Sequence, residues 1–359
     1  MASGGSSMDS SESDPSAGSD RDRDQDRNRE QNRDRDQDRN RGQNRGQGQN
    51  RDRGDQDANR TALGHRGRHR TTDDADGTRA AVQRWLETRV RENRFTIAVV
   101  FPVVGAITLV ASDLGHLPAP LAYNPLLLLV GTAVMRSPLL VGVLPTLGRR
   151  ALGCLGALTA FTYAIELVGL RTGWPYGTFE YAIELGPTLA GEVPLALPLF
   201  FVPLVLDAYL LTVLVLDSRS ENRFETPLAR LAGAIATVLA IDLVLDPAAV
   251  AIGFWEFIPA GAYYGVPVSN YAGWLLSGAV AVALVEFGFD REALRERIRS
   301  CEFILDDLVS FVLLWGSINV LYGNWIAAAV AGLICLGLVG TDRYGGDLFR
   351  TAIPPTDKN

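Results

Sequence analysis

The chain has 359 residues, a net charge of −7 and 47% apolar residues. With 41 acidic against 34 basic side chains, it lacks the cationic excess of a nucleic-acid binder. Three scattered cysteines without a C-x-x-C, and a single histidine (His116) in the apolar body, exclude a disulfide framework, zinc knuckles, di-iron His boxes and bis-His haem.

Residues 1–79 form the first region. Asp20 to Asp57 is a near-repeat of Arg, Asp, Gln and Asn with no apolar residue before Ala58. Such a segment cannot bury enough surface to offset the entropy of ordering, so a disordered, solvated tail is expected. Its alternating charges argue against nucleic-acid binding. Residues 80–94 read as an amphipathic juxtamembrane helix.

Residues 95–340 read as a membrane domain. A bilayer-crossing helix needs about 20 apolar residues, and about 17 at the low end. Eight candidates follow in order: Phe95–Ser112, Tyr123–Leu144, Ala151–Leu170, Val193–Leu216, Leu228–Ile252, Tyr271–Phe289, Phe303–Val320 and Tyr322–Val339. The last two are separated only by Tyr322-Gly323-Asn324, so eight could be seven. Pro194, Pro198 and Pro203 predict a kink in the fourth. The expected fold is an all-α polytopic bundle with residues 341–359 as a cytoplasmic tail. Arginines cluster in alternate loops, with Arg171 alone on the other side, which predicts both termini inside the cell membrane. The chain has 33 Arg and one Lys, Lys358, a Lys-poor acidic composition that suits a high-salt cytoplasm.

Ionisable residues within spans are functional candidates by default. They are Arg136, Glu166, Asp207, Asp242, Asp246 and Glu286. Asp242 and Asp246 are one helical turn apart and share a face. Arg136 is the only cation at depth and the expected charge partner for one carboxylate. Charge balance then requires some of the acids to hold a proton, and a buried carboxylic acid is a proton donor. The bland alternative is that these groups tie helices together. Two long outer loops carry Trp174, Tyr176, Phe179, Tyr181, Trp255, Phe257, Tyr263, Tyr264, Tyr271 and Trp274. These could form an interfacial aromatic belt, or a cap bent back by Pro175-Tyr176-Gly177 and Gly265-Val266-Pro267.

Carboxylic acids, aromatic faces and water, with no metal and no cofactor implied, suit Brønsted-acid chemistry on an alkene. Protonating a trisubstituted double bond gives a tertiary cation that aromatic rings stabilise. Capture by water is hydration; capture by an internal alkene is cyclisation. D-x-x-x-D also occurs in membrane prenyltransferases, where magnesium bridges carboxylates to a diphosphate, but no Lys or Arg lies near Asp242 and Asp246 in sequence. A transporter or pigment-binding protein is the non-enzyme alternative.

The stretch from Phe161 to Trp274 resembles the carotenoid hydratase family, which includes the bisanhydrobacterioruberin hydratases of haloarchaea and the bacterial carotenoid 1′-hydratases. The matching pieces are Glu166, Thr172-Gly173-Trp174-Pro175-Tyr176-Gly177, Tyr181 and Leu185-Gly186-Pro187. They continue with Asp242, Leu245-Asp246-Pro247, Gly253-Phe254-Trp255, Tyr263-Tyr264-Gly265-Val266-Pro267, Asn270 and Gly273-Trp274. The resemblance implies a lyase that adds water to both terminal C=C bonds of a long acyclic carotenoid, a C50 one in haloarchaea, through a monoanhydro intermediate. Its partners would be that carotenoid, water, membrane lipid and other carotenoid-pathway enzymes. From chemistry and position, Asp242 or Asp246 is the expected acid, Glu166 the group that handles water, and Asp207 a further candidate nearer mid-membrane. Trp174, Tyr176, Tyr181, Trp255, Tyr263, Tyr264, Asn270 and Trp274 are the expected substrate contacts.

Overall fold

A computed structural model describes residues 77–219 and 226–339 of the chain. The expected tail over residues 1–76 and the C-terminal segment from residue 340 lie outside the described residues.

Helix α1 covers residues 77–92 and leads into a π-helical turn, Thr96–Val100. The helices that follow are α2 (Phe101–Asp113), α3 (Pro125–Val143), α4 (Arg149–Thr172), α5 (Leu197–Arg219), α6 (Pro227–Ala251) and α7 (Val268–Gly288). Then come α8 (Arg291–Ser300), α9 (Asp306–Leu321) and α10 (Trp325–Val339). Helix starts are set locally. Asn124 caps α3 by accepting from the Leu126 and Leu127 amides, with Pro125 in the first turn. Thr226 does the same for α6 ahead of Pro227. Gly173, at φ 72°, ends α4 in a left-handed conformation that a side chain would strain.

Among the described residues, six helices are long and apolar enough to cross a membrane. The last two expected spans are separate helices, because Gly323 turns at φ 75° between them. They are short, at 16 and 15 residues. The fourth expected span also starts late. Val193–Pro194 pairs as a strand with Thr188–Leu189, so the helix begins at Leu197, and Pro203 falls inside it.

Helix α5 is the hub. It packs on α3, α4, α6, α7, α8, α9 and α10. Of its spanning window 72% is buried, against 22–39% for the other five. Their outer faces display Ile107, Leu126, Leu275, Phe287 and many other large apolar residues to the surroundings. Apolar exposure on that scale is unfavourable in water and neutral in lipid.

The two aromatic loops form one cap. Strand β1 (Phe179–Tyr181), between α4 and α5, pairs antiparallel with β4 (Trp255–Phe257), between α6 and α7. Tyr181 faces Trp255, and Phe179 faces Phe257. The small strands β2 (Thr188–Leu189) and β3 (Val193–Pro194) make a second pair within the first loop.

Candidate active site

Beneath the cap lies a cavity of about 400 Å³, within the range of small-molecule sites. Leu and Phe are the commonest residues of its wall, many of them from α2, α3, α5 and α9. Besides Thr108, Ser112, Tyr123, Asn124, Thr132, Thr162 and Ser310, its polar lining falls into two sets. Glu166, Tyr176, Tyr181, Asp246 and Asn270 form one, and Arg136 with Asp307 form the other. At about 1.5 Å per residue, Asp246 and Glu166 sit about 8–9 Å below the cap end of their helices, and Arg136 about 16 Å.

In the upper set, the Asn270 amide on α7 donates to Oδ2 of Asp246 and, at 3.3 Å, to Oδ2 of Asp242. Asp242 is fully buried one turn below Asp246 and does not line the cavity. Across the cavity, the Tyr181 hydroxyl donates to Oε1 of Glu166 at 2.5 Å. Burial and the adjacent Glu166 charge push the Tyr181 hydroxyl well above its ordinary range, so it stays a donor.

The cap places these groups by close packing. The ring of Tyr176 lies between α4 and α7 where both carry glycine. A Cβ on Gly273 would meet its Cδ1 at 2.4 Å, and one on Gly169 would meet Cδ2 at 3.0 Å. The Ser269 hydroxyl donates to the Tyr176 carbonyl at 3.2 Å, tying the first expected turn to the start of α7. Phe254, Trp255, Phe257, Phe179 and Trp274 also line the cavity, so aromatic side chains share its wall with the two carboxyl groups.

Of the residues singled out from sequence, Glu166, Tyr176, Tyr181, Asp246, Trp255, Asn270, Trp274 and Arg136 meet at this cavity. Trp174 does not, and is 58% exposed. Tyr263 and Tyr264 meet edge to face outside it. The Tyr263 hydroxyl donates to the Leu243 carbonyl, and the Tyr264 hydroxyl accepts from the Ile326 amide. Asp207 is fully buried behind the wall, 3.9 Å from Arg136.

The sequence reading missed two acids. Arg136 is paired chiefly with Asp307, at 2.9 and 3.0 Å, and Arg94 grips Asp306 with two nitrogens. The signal was available as adjacent aspartates inside an otherwise apolar run, Leu305 to Val309. Glu286 is bound by Arg230 and by the Tyr209 hydroxyl, each at 2.5 Å.

A bundle with six helices apolar and long enough to cross a membrane, and a capped, aromatic-lined cavity that acids reach, defines a polytopic membrane protein with room for an apolar molecule. The chain belongs to the carotenoid biosynthesis protein family, whose model matches residues 123–338. It is similar to the bisanhydrobacterioruberin hydratase of Haloarcula japonica, with 59% identity over 264 residues, covering 74% of this chain and 88% of that protein. No solved structure matches the chain.

Proposed function

We propose that this protein is a carotenoid hydratase of the cell membrane, with both termini cytoplasmic, acting on bisanhydrobacterioruberin. The observation that carries the reading is the similarity to the Haloarcula japonica hydratase over 88% of its length. Asp246 and Glu166, which both line one aromatic-lined cavity, supply a chemistry for it.

The substrate's end group enters the cavity from the lipid. Asp246 is engaged by Asn270 and lies beside Asp242, and of these two acids it is the one that lines the cavity and would carry the proton there. It protonates the less substituted carbon of the terminal double bond. The tertiary cation lies among Trp255, Phe254, Trp274 and Tyr181, whose ring faces stabilise positive charge. Glu166, held as an acceptor by Tyr181, takes a proton from water as its oxygen bonds to the cation. One C=C is lost, one C–H and one C–O bond form, and the proton returns from Glu166 to Asp246 through cavity water. Asp242 acts through Asn270, holding the amide toward Asp246.

Mass spectrometry of the pigment after incubation in ¹⁸O-labelled water tests this. The expected product carries one or two added waters with label in each new hydroxyl. An isomeric, unlabelled product would mean cyclisation, and unchanged pigment with folded protein would mean binding or transport.

A further inference from the structure

A substrate must reach a cavity that is roofed by the cap. Among the residues lining that cavity, the four most exposed are Phe101, Val104, Leu121 and Leu127, at 39–54%. All four lie on one edge, on α2, on α3 or in the loop between them. Side chains that are both exposed and part of the cavity wall mark an opening. By helical rise, Val104 and Phe101 lie about 14 and 18 Å below the cap end of α2. That helix and the π-helical turn before it form one of the six candidate spans. The opening therefore runs down the side of the bundle, where its lower part meets hydrocarbon and not water. Gly131 lines the cavity one turn below Leu127, on the same face of α3. A Cβ there would meet nothing within 4 Å, so the missing side chain leaves this edge clear.

At about 400 Å³ the cavity stands toward the small end of ligand sites. A long carotenoid in extended form is comparable in length to the hydrocarbon core of a bilayer, about 30 Å, so the cavity takes an end group and leaves most of the chain outside. The four exposed rim residues are apolar, which matches a hydrocarbon chain. We propose that the opening between α2 and α3 is a lateral mouth through which the carotenoid is threaded end first. One end group sits at the acids, the chain passes Gly131, and the remainder stays in lipid. The proposal rests on the hydratase reading and deepens it. Gly131 becomes a specificity-determining residue, because a side chain there obstructs a substrate whose chain must lie across the mouth while its end reacts.

The test uses the full-length protein in lipid vesicles and two substrates with the same terminal double bond. One is the long carotenoid. The other is a short acyclic isoprenoid that fits wholly inside the cavity. Gly131→Phe places a ring in the opening. Ile107→Trp is the control, on α2 but 63% exposed and away from the cavity. Gly131→Phe is expected to lower kcat/KM for the carotenoid by at least about tenfold more than for the short substrate, and Ile107→Trp to leave the ratio within about twofold. Leu127→Trp narrows the rim from an already exposed position, should shift the ratio the same way, and decides the matter if Gly131→Phe does not fold. Where the wild type accepts the carotenoid alone, its kcat/KM is compared directly, with the same fall expected in the mouth variants and not in the control. A wild-type ratio or rate retained in the folded mouth variants overturns the mouth and leaves the hydratase standing. A wild type that hydrates neither substrate overturns the hydratase reading, and the mouth with it.

Discussion

Five of the acids in this bundle fall into two sets that differ in what binds them. Asp306, Asp307 and Glu286 are held by Arg94, Arg136 and Arg230. Asp246 and Glu166 receive the neutral donors Asn270 and Tyr181, and both reach the cavity. A guanidinium fixes a carboxylate as an ion and makes its removal expensive. An amide or phenol orients a carboxyl group and leaves it free to exchange a proton. The same residue type thus fastens helices where an arginine meets it and, in the proposed mechanism, handles protons where a neutral donor does.

Substitutions should separate the two sets. Asp246→Asn removes the proton and keeps the shape. Hydration is expected to fall by about 10²–10⁴-fold, with the protein still inserted, as read by pigment mass spectrometry. Glu166→Gln should cost about 10²-fold in the same assay, because water then lacks its base. Asp306→Ala belongs to the other set. Breaking its pair with Arg94 is expected to destabilise the fold by about 3–5 kcal/mol, measured by denaturation in detergent, while activity per folded molecule is largely kept. High activity in Asp246→Asn together with loss in Asp306→Ala would reverse the division. Gly273→Ala sharpens it, since the added methyl overlaps the Tyr176 ring. About 1–3 kcal/mol of overpacking is expected, along with slower hydration as the ring shifts over the cavity. Trp174→Ala should change the rate by less than about twofold, since an exposed side chain away from the cavity has little to lose.

The sequence made the helices legible because lipid imposes a length and a composition on each one. It made Asp246 and Glu166 legible because acids are rare at that depth. The aspartate pair at 306 and 307 stands out in its apolar run, but a carboxylate at the start of a short helix passes for an interfacial residue until Arg136 is seen opposite it. The aromatic roster was too long for a related reason. Trp174 and Trp255 are equivalent as composition, and only the pairing of β1 with β4 puts one in the cavity wall and leaves the other outside. The glycines of α4 and α7 could not be read as a seat for Tyr176, because nothing local says which ring they admit.

The β1–β4 pair also bears on the order in which the protein is made. Its two strands leave the ribosome on either side of α5 and α6. The first must wait beyond the membrane until that helical hairpin has been threaded through and the second strand delivered. The bundle can therefore be largely inserted while its catalytic chamber is still roofless. A chain stopped before Trp255 would have a membrane address and no place to do chemistry.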